Sequence, residues 1–331
     1  MMHKIKDFFK ENIMFFSFII VLLVITRVNL PYAIYTPGGS INLSERISGE
    51  NTYQEEGSLS MTYVSMAKGT PLFMLLSFII PNWDYVPTES ISYEGETFEE
   101  TFIIDRIYLN EAYSNAEFVA YENAGINYSV TKTKNVVTLV DSDALTNLKS
   151  GDEILSIDGN KYSSLEEFQK YIESKQVGDK VSIDYIRDDK KYTDECTLID
   201  LKGKPRVGIG IATISEYKTP FNINIETKYG ETGPSGGFLT ALEIYNKITA
   251  DDITKGKKIM GTGTIDKDGN VGEIGGVKYK ILGASRDGAD VFICPKENEK
   301  EALKTVKDNH LKVEVIGVKN FKEALKILED L

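Results

Sequence analysis

Four hydrophobic patterns follow one another along the chain, and each predicts a different kind of element. Ile13 to Thr26 is an unbroken apolar run of 14 residues between Asn12 and Arg27. As a helix it covers about 21 Å, against the roughly 30 Å of a bilayer's hydrocarbon core. Phe8, Phe9, Val28 and Leu30 lengthen it, and Lys10 and Arg27 can carry their charges to the interfaces. The expectation is an uncleaved transmembrane anchor over residues 13–30, with residues 1–12 as a cytoplasmic tail. A cleaved signal peptide is the alternative, because Lys4, Lys6 and Lys10 precede the run, but no A-x-A pair of small residues follows it. The lysines place the N-terminus inside and everything after Arg27 on the extracellular face of the cell membrane. A second apolar run, Leu72 to Ile80, is too short to span. Thr70 and Pro71 suit the start of a buried core helix, with contact to the outer leaflet as the second reading.

Around that run, Tyr35 to Tyr93 reads as short strands with turns at Pro37-Gly38-Gly39 and Glu56-Gly57. Thr97 to Ala124 predicts a long helix: Thr97 caps it, Glu99 and Glu100 favour its first turn, and Gly125 ends it. Arg106 is the single basic residue between Pro71 and Val130, and the many carboxylates there read as a solvated face. From Ile126 to Leu201 the period becomes two. Ile154, Ser156 and Asp158 alternate with Leu155 and Ile157, and Asp158-Gly159 signals a hairpin. Ser164 to Ser174 has a capping-box start and places Leu165, Phe168 and Ile172 at helical spacing. Val181 to Arg187 and Tyr192 to Leu198 follow as paired strands. Residues 205–331 alternate strands (Phe221 to Thr227, Lys258 to Thr264, Val291 to Cys294) with helices at Gly236 to Lys247, either side of His310 and after Asn320.

Composition narrows the chemistry. Lysine and arginine number 38 against 50 acidic residues, a net charge of −12 over 331 residues, which argues against nucleic-acid binding. With two histidines, His3 and His310, and two cysteines, Cys196 and Cys294, neither a zinc cluster nor a disulfide framework is expected. No metal or other cofactor is called for, and the cysteines read as buried thiols. A Ser-His-Asp mechanism would have to use His310, which lies in a charged surface turn, because His3 falls across the membrane.

Two glycine-rich blocks carry the candidate chemistry. In Glu231-Thr-Gly-Pro-Ser-Gly-Gly237, Gly233-Pro234 turns into a helix start at Ser235, and Gly236 and Gly237 admit a close neighbour. A serine there is exposed to attack a carbonyl, with backbone amides around Gly233 and Gly236 and the helix dipole behind it. Taken alone it is also an ordinary N-cap. With no histidine at hand, a lysine lowered from about 10.4 to roughly 7–8 is the other activator of a serine, at a cost of about 4 kcal/mol to the fold. After Gly275-Gly276, Lys278 and Lys280 both lie at the start of a helix, and periodicity does not choose between them.

Two resemblances bear on these segments. Gly151-Asp-Glu-Ile-Leu-Ser-Ile-Asp-Gly159 resembles the PDZ domains of bacterial proteases, which implies a fold that adds an extended peptide as a strand beside a helix; a plain spacer domain is the other reading. Gly233 to Gly237, Met260-Gly-Thr-Gly263 and Gly275 to Lys280, in that order and spacing, resemble the proteolytic domain of Lon, a Ser-Lys peptidase. That resemblance implies Ser235 as nucleophile, Lys280, 45 residues later, as its base, and Thr262 as the residue steadying the lysine. Thr232 stands where Lon carries Asp, and Thr264 where it often carries Glu. No Gly-x-x-x-x-Gly-Lys-[Ser/Thr] phosphate loop occurs, so ATP is not expected as a partner.

The expected fold class is α+β multidomain: transmembrane helix, then residues 31–124 as a β-region and long helix packing on the protease body, 125–201 as the PDZ-like domain and 205–331 as the Lon-type α/β domain. The expected function is an ATP-independent endopeptidase at the outer membrane face, cutting unfolded or short secreted and envelope polypeptides captured by the PDZ segment. Lon's ring assembly leaves a homo-oligomer open. The rivals are a catalytically silent anchored PDZ scaffold and a His310-based protease.

Overall fold

The computed structural model describes residue 8 and residues 10–93, 96–162 and 164–331. His3, Lys4, Lys6 and Phe9, on which the cytoplasmic tail and part of the anchor rested, lie outside the described residues. The chain begins with α1 (Ile13–Arg27), β1 (Tyr32–Asn42), β2 (Ser58–Lys68), α2 (Pro71–Ser77), β3 (Asp84–Pro87) and α3 (Phe98–Ala124). A middle part holds β4 (Ser129–Val140), β5 (Glu153–Ile157), α4 (Leu165–Glu173), β6 (Lys180–Arg187), β7 (Lys190–Thr197) and β8 (Ile209–Lys218). The last part runs α5 (Gly237–Ile248), β9 (Lys258–Gly261), α6 (Val277–Arg286), β10 (Val291–Pro295), α7 (Lys296–Asp308), β11 (Glu314–Val318) and α8 (Phe321–Glu329).

The first and last parts build one six-stranded sheet in the order β11-β10-β9-β2-β1-β3. β10 is buried at every position, as a parallel strand covered on both faces should be. β9 pairs in parallel with β10 on one side and with Ser58 to Met61 of β2 on the other. Leu59 and Met61 thereby enter one core with Ile259, Ile293, Phe238 of α5 and Val119 of α3. Between these parts sits an antiparallel sheet, β8-β4-β5-β6-β7, around Ile157, Ile172, Ile183 and Cys196. The turn after β5 places Asp158 at φ 48° and Gly159 at φ 76° and closes a single Ile157–Asn160 bridge, while the hairpin between β6 and β7 turns at Asp188 and Asp189, at φ 49° and 58°. β8 belongs to this middle sheet although it follows residue 205, so the boundary drawn along the chain does not separate the two folds.

The transmembrane reading of residues 13–30 is corrected. α1 has 15 residues, about 22 Å, and stops at Val28, whose backbone is extended at φ −70° and ψ 121°. The Leu30 N–H then bonds Gly69 O at 2.8 Å, tying the chain to the end of β2, so Val28 and Leu30 add nothing to the helix. Among the described residues no helix is long and apolar enough to cross a membrane. The outer-face placement loses its premise with the anchor.

Three smaller expectations also change. α2 starts as foreseen, with Thr70 Oγ1 accepting from Phe73 N at 3.3 Å, but none of its residues is buried, and Phe78 and Ile79 just beyond it are 67% and 76% exposed. Pro37-Gly38-Gly39 is a bulge inside β1: Pro37 faces Val64 and Ser40 faces Thr62, one residue more on β1 than on β2. Gly38 is required there, since a Cβ would fall 1.9 Å from Tyr63 O. A helix precedes His310 but the chain after it leads directly into β11.

Candidate active site

The Ser235 turn is held from three directions. Gly233, at φ 85°, donates its N–H to Asp105 O of α3 at 2.9 Å. Pro234 to Gly236 form a single 3-10 turn that runs into α5. Ser235 O accepts from Gly263 N at 2.8 Å and from Thr262 Oγ1 at 3.0 Å, so the segment after β9 clamps the serine's backbone. A side chain at Gly236 would meet Met61 Sδ at 2.6 Å, which is why the turn can lie against β2.

α6 supplies the second group. It starts after Gly276, at φ 71°, and points Lys280 inward, where 4% of the residue remains exposed. Lys280 Nζ lies 2.8 Å from Ser235 Oγ and 2.9 Å from Thr262 Oγ1. Among the described residues no carboxylate pairs with it. Burial alone lowers its pKa to about 7, so the neutral amine is populated near neutrality. Lys278, the other candidate, points away to Asp84 Oδ2 of β3 at 2.8 Å, and Tyr279 OH donates to the same oxygen at 2.8 Å. Three of the five sequence-derived residues thus meet through side chains, and Gly233 and Gly236 frame the turn. His310 is exposed at φ 53° after α7, and no hydrogen bond among the described residues joins it to Ser235.

Ser235 opens onto a cleft of about 980 Å³ between β1, β2, the first half of α3 and the 228–236 loop. β9 ends at Gly261 opposite Met61, so from Thr62 to Lys68 the described residues give β2 a strand neighbour on its β1 side alone. Arg46 Nη2 pairs with Glu231 Oε1 at 2.8 Å, and Arg106 Nη1 donates to Glu231 O at 2.8 Å, which fixes the loop. Sequence reasoning missed this wall: Arg106 and Asp105 lay in a stretch read as solvated, and their isolation as the one cation and its neighbour was the only local signal. A second, small groove of about 30 Å³ lies between β5, α4 and Ile211 of β8. Beside it, Glu111 Oε1 accepts from Thr213 N and Ser114 Oγ from Ser215 N, both at 2.8 Å, so α3 reaches from the cleft to the outer edge of β8.

Residues 222–329 match the family model of the Lon protease (S16) C-terminal proteolytic domain, and residues 124–198 match that of the PDZ domain. The chain carries both domains. The Lon protease of Aster yellows witches'-broom phytoplasma is 34% identical over 116 residues, covering 35% of this chain and 14% of that protein. The Lon protease of Rickettsia felis is 36% identical over 113 residues, 32% of this chain and 14% of that protein. The match therefore spans about one seventh of these curated relatives' length. A crystal structure of the PDZ domain of an SdrC-like protein from Listeria monocytogenes is 40% identical, covers 25% of this chain and 92% of that one, and has a TM-score of 0.24.

Proposed function

We propose that the chain is a serine endopeptidase working through a Ser235–Lys280 dyad without nucleotide. The observation that carries this reading is the 2.8 Å contact between Ser235 Oγ and a buried amine whose pKa is about 7. Ser235 Oγ attacks the scissile carbonyl while its proton passes to neutral Lys280 Nζ. The backbone N–H groups of Ser235 and Gly236 hold the oxyanion, and the ammonium returns the proton to the leaving amine as the C–N bond breaks. Water, deprotonated by the same amine, then cleaves the Ser235 ester and restores the hydroxyl. Thr262 orients the amine through its 2.9 Å contact.

The open side of β2 beside Ser235 suits an extended main chain, so unfolded or short polypeptides are the substrates. The groove at Ile211 takes an extended segment of the same substrate, which is the role of the PDZ domain. The absence of a phosphate loop from the sequence supports cleavage without ATP. The test is incubation of the full chain, Ser235→Ala and Lys280→Ala with an unfolded protein and with peptides, with and without Mg-ATP. Cleavage by the unchanged chain alone, equal in both conditions, is expected. Equal cleavage by all three proteins, or none by any, overturns the reading.

A further inference from the structure

The charges lining the cleft are nearly all accounted for. Arg46 and Glu231 neutralise each other, Lys68 and Lys228 are exposed, and Arg106, which is not in the lining, is committed to loop carbonyls. Asp105 differs. It is partly buried in the cleft wall, and its own carbonyl accepts from Gly233 N at 2.9 Å, which sets it beside the turn that presents Ser235. Tyr93 OH donates to Oδ1 at 2.9 Å, and among the described residues no lysine or arginine pairs with the carboxylate and no other side chain donates to it. Tyr35, whose pKa is raised by burial and further by the Asp105 charge, lines the same cleft with Phe102 and Leu109. The carboxylate thus has one neutral donor and no cation beside it in the cleft wall, among the described residues. A cationic side chain whose stem lies along tyrosine and leucine and whose head reaches Oδ2 supplies what is missing.

We propose that Asp105 makes the cleft select polypeptides carrying a lysine or arginine side chain close to the bond that is cut. This inference rests on the peptidase reading and deepens it. Asp105 acts on substrate choice and takes no part in the bond-breaking steps.

The test uses the full chain and quenched fluorescent peptides identical except for one residue, set in turn to Lys, Arg, norleucine or Glu and moved along the positions flanking the cut. Expected is a kcat/KM roughly 10–100-fold higher for Lys or Arg than for norleucine at one position, the range for a charge pair in a partly desolvated pocket. Asp105→Asn removes that preference and leaves the norleucine peptide within about threefold; Asp105→Lys moves the preference to Glu; Tyr93→Phe keeps the preference for cations. An unchanged chain indifferent to charge, or an Asp105→Asn loss equal for every peptide, overturns the proposal, the second outcome meaning a structural role. Anisotropy binding of the same peptides to Ser235→Ala reads the preference without turnover, with Asp105→Asn added as the control. Preferential binding of cationic peptides that Asp105→Asn abolishes supports Asp105 even where cleavage fails, and Ser235→Ala that still cleaves sinks the peptidase reading alone.

Discussion

Lys280 and Glu243 are both buried, charged side chains on helices of the same part of the molecule, and burial drives both toward their neutral forms. The Lys280 amine falls to about 7; the Glu243 carboxyl rises to about 8, with nearby Glu55 adding to the effect of burial. Their surroundings differ. Lys280 touches two hydroxyls, one of which opens on a cleft, whereas among the described residues neither Glu243 oxygen has a hydrogen-bond partner, Lys247 Nζ standing 3.3 Å away as an ion pair. A displaced pKa records desolvation. What the group touches decides whether that displacement can do chemistry.

The sharpest way to break this comparison is activity. Ser235→Ala and Lys280→Ala each lower kcat on an unfolded substrate by about 10⁴-fold or more, whereas Glu243→Gln leaves kcat/KM within about twofold; comparable losses in all three erase the distinction. Stability against pH comes next, with urea midpoints as the readout. The folded lysine sheds its proton near 7 and the unfolded one near 10.5, so the unfolded chain holds more protons in between and stability rises with pH across that window. Lys280→Met therefore stabilises the chain by roughly 4–5 kcal/mol below pH 7, a gain that fades toward pH 10.5. Glu243 slopes the other way, because the folded chain holds the extra proton between pH 4.5 and 8. Glu243→Gln thus gains stability as pH rises through that window, up to roughly 4–5 kcal/mol above pH 8; parallel slopes for the two variants would refute the assignment.

Catalytic pH dependence separates the pair again. kcat/KM should fall about tenfold per pH step below about 7 as Lys280 protonates, and Glu243→Gln should leave that limb in place. The smallest effect expected is for Thr262→Val, which removes one contact to the amine and one to Ser235 O. Its kcat should drop roughly tenfold with KM little changed, and a rise in KM alone would assign Thr262 to substrate binding.

How much of this the sequence shows follows the range of each interaction. Gly233 to Gly237 and Gly275-Gly276 are local backbone statements, and both turns are where those residues predict. The choice between Lys278 and Lys280 is not local: Asp84, on a strand nearly 200 residues earlier, holds one of them away. Pro37-Gly38-Gly39 reads equally as a turn or a bulge, because both need the same backbone freedom, and only the pairing with β2 distinguishes them. Hydrophobic runs mislead for a related reason. They state what prefers to leave water without stating what covers it, and Met14 in α1 is 85% exposed. Asp105 was hidden among many carboxylates, and only the lack of a lysine or arginine beside it, among the described residues, marks it.

The parallel pairing of β2 with β9 joins Ser58 to Lys258, 200 residues apart in a chain made from one end. At ribosomal rates of about 5–20 residues per second, β2 waits roughly 10–40 s for that neighbour. The middle sheet, built from residues 129–218, is complete before the wait ends. Ser235 emerges earlier than Gly263, which clamps it, and earlier still than Lys280, whose amine it meets. Synthesis therefore keeps the pair apart for an interval: the Ser235 hydroxyl stands on the nascent chain without the Lys280 amine, and the two meet only once the sheet has closed around both.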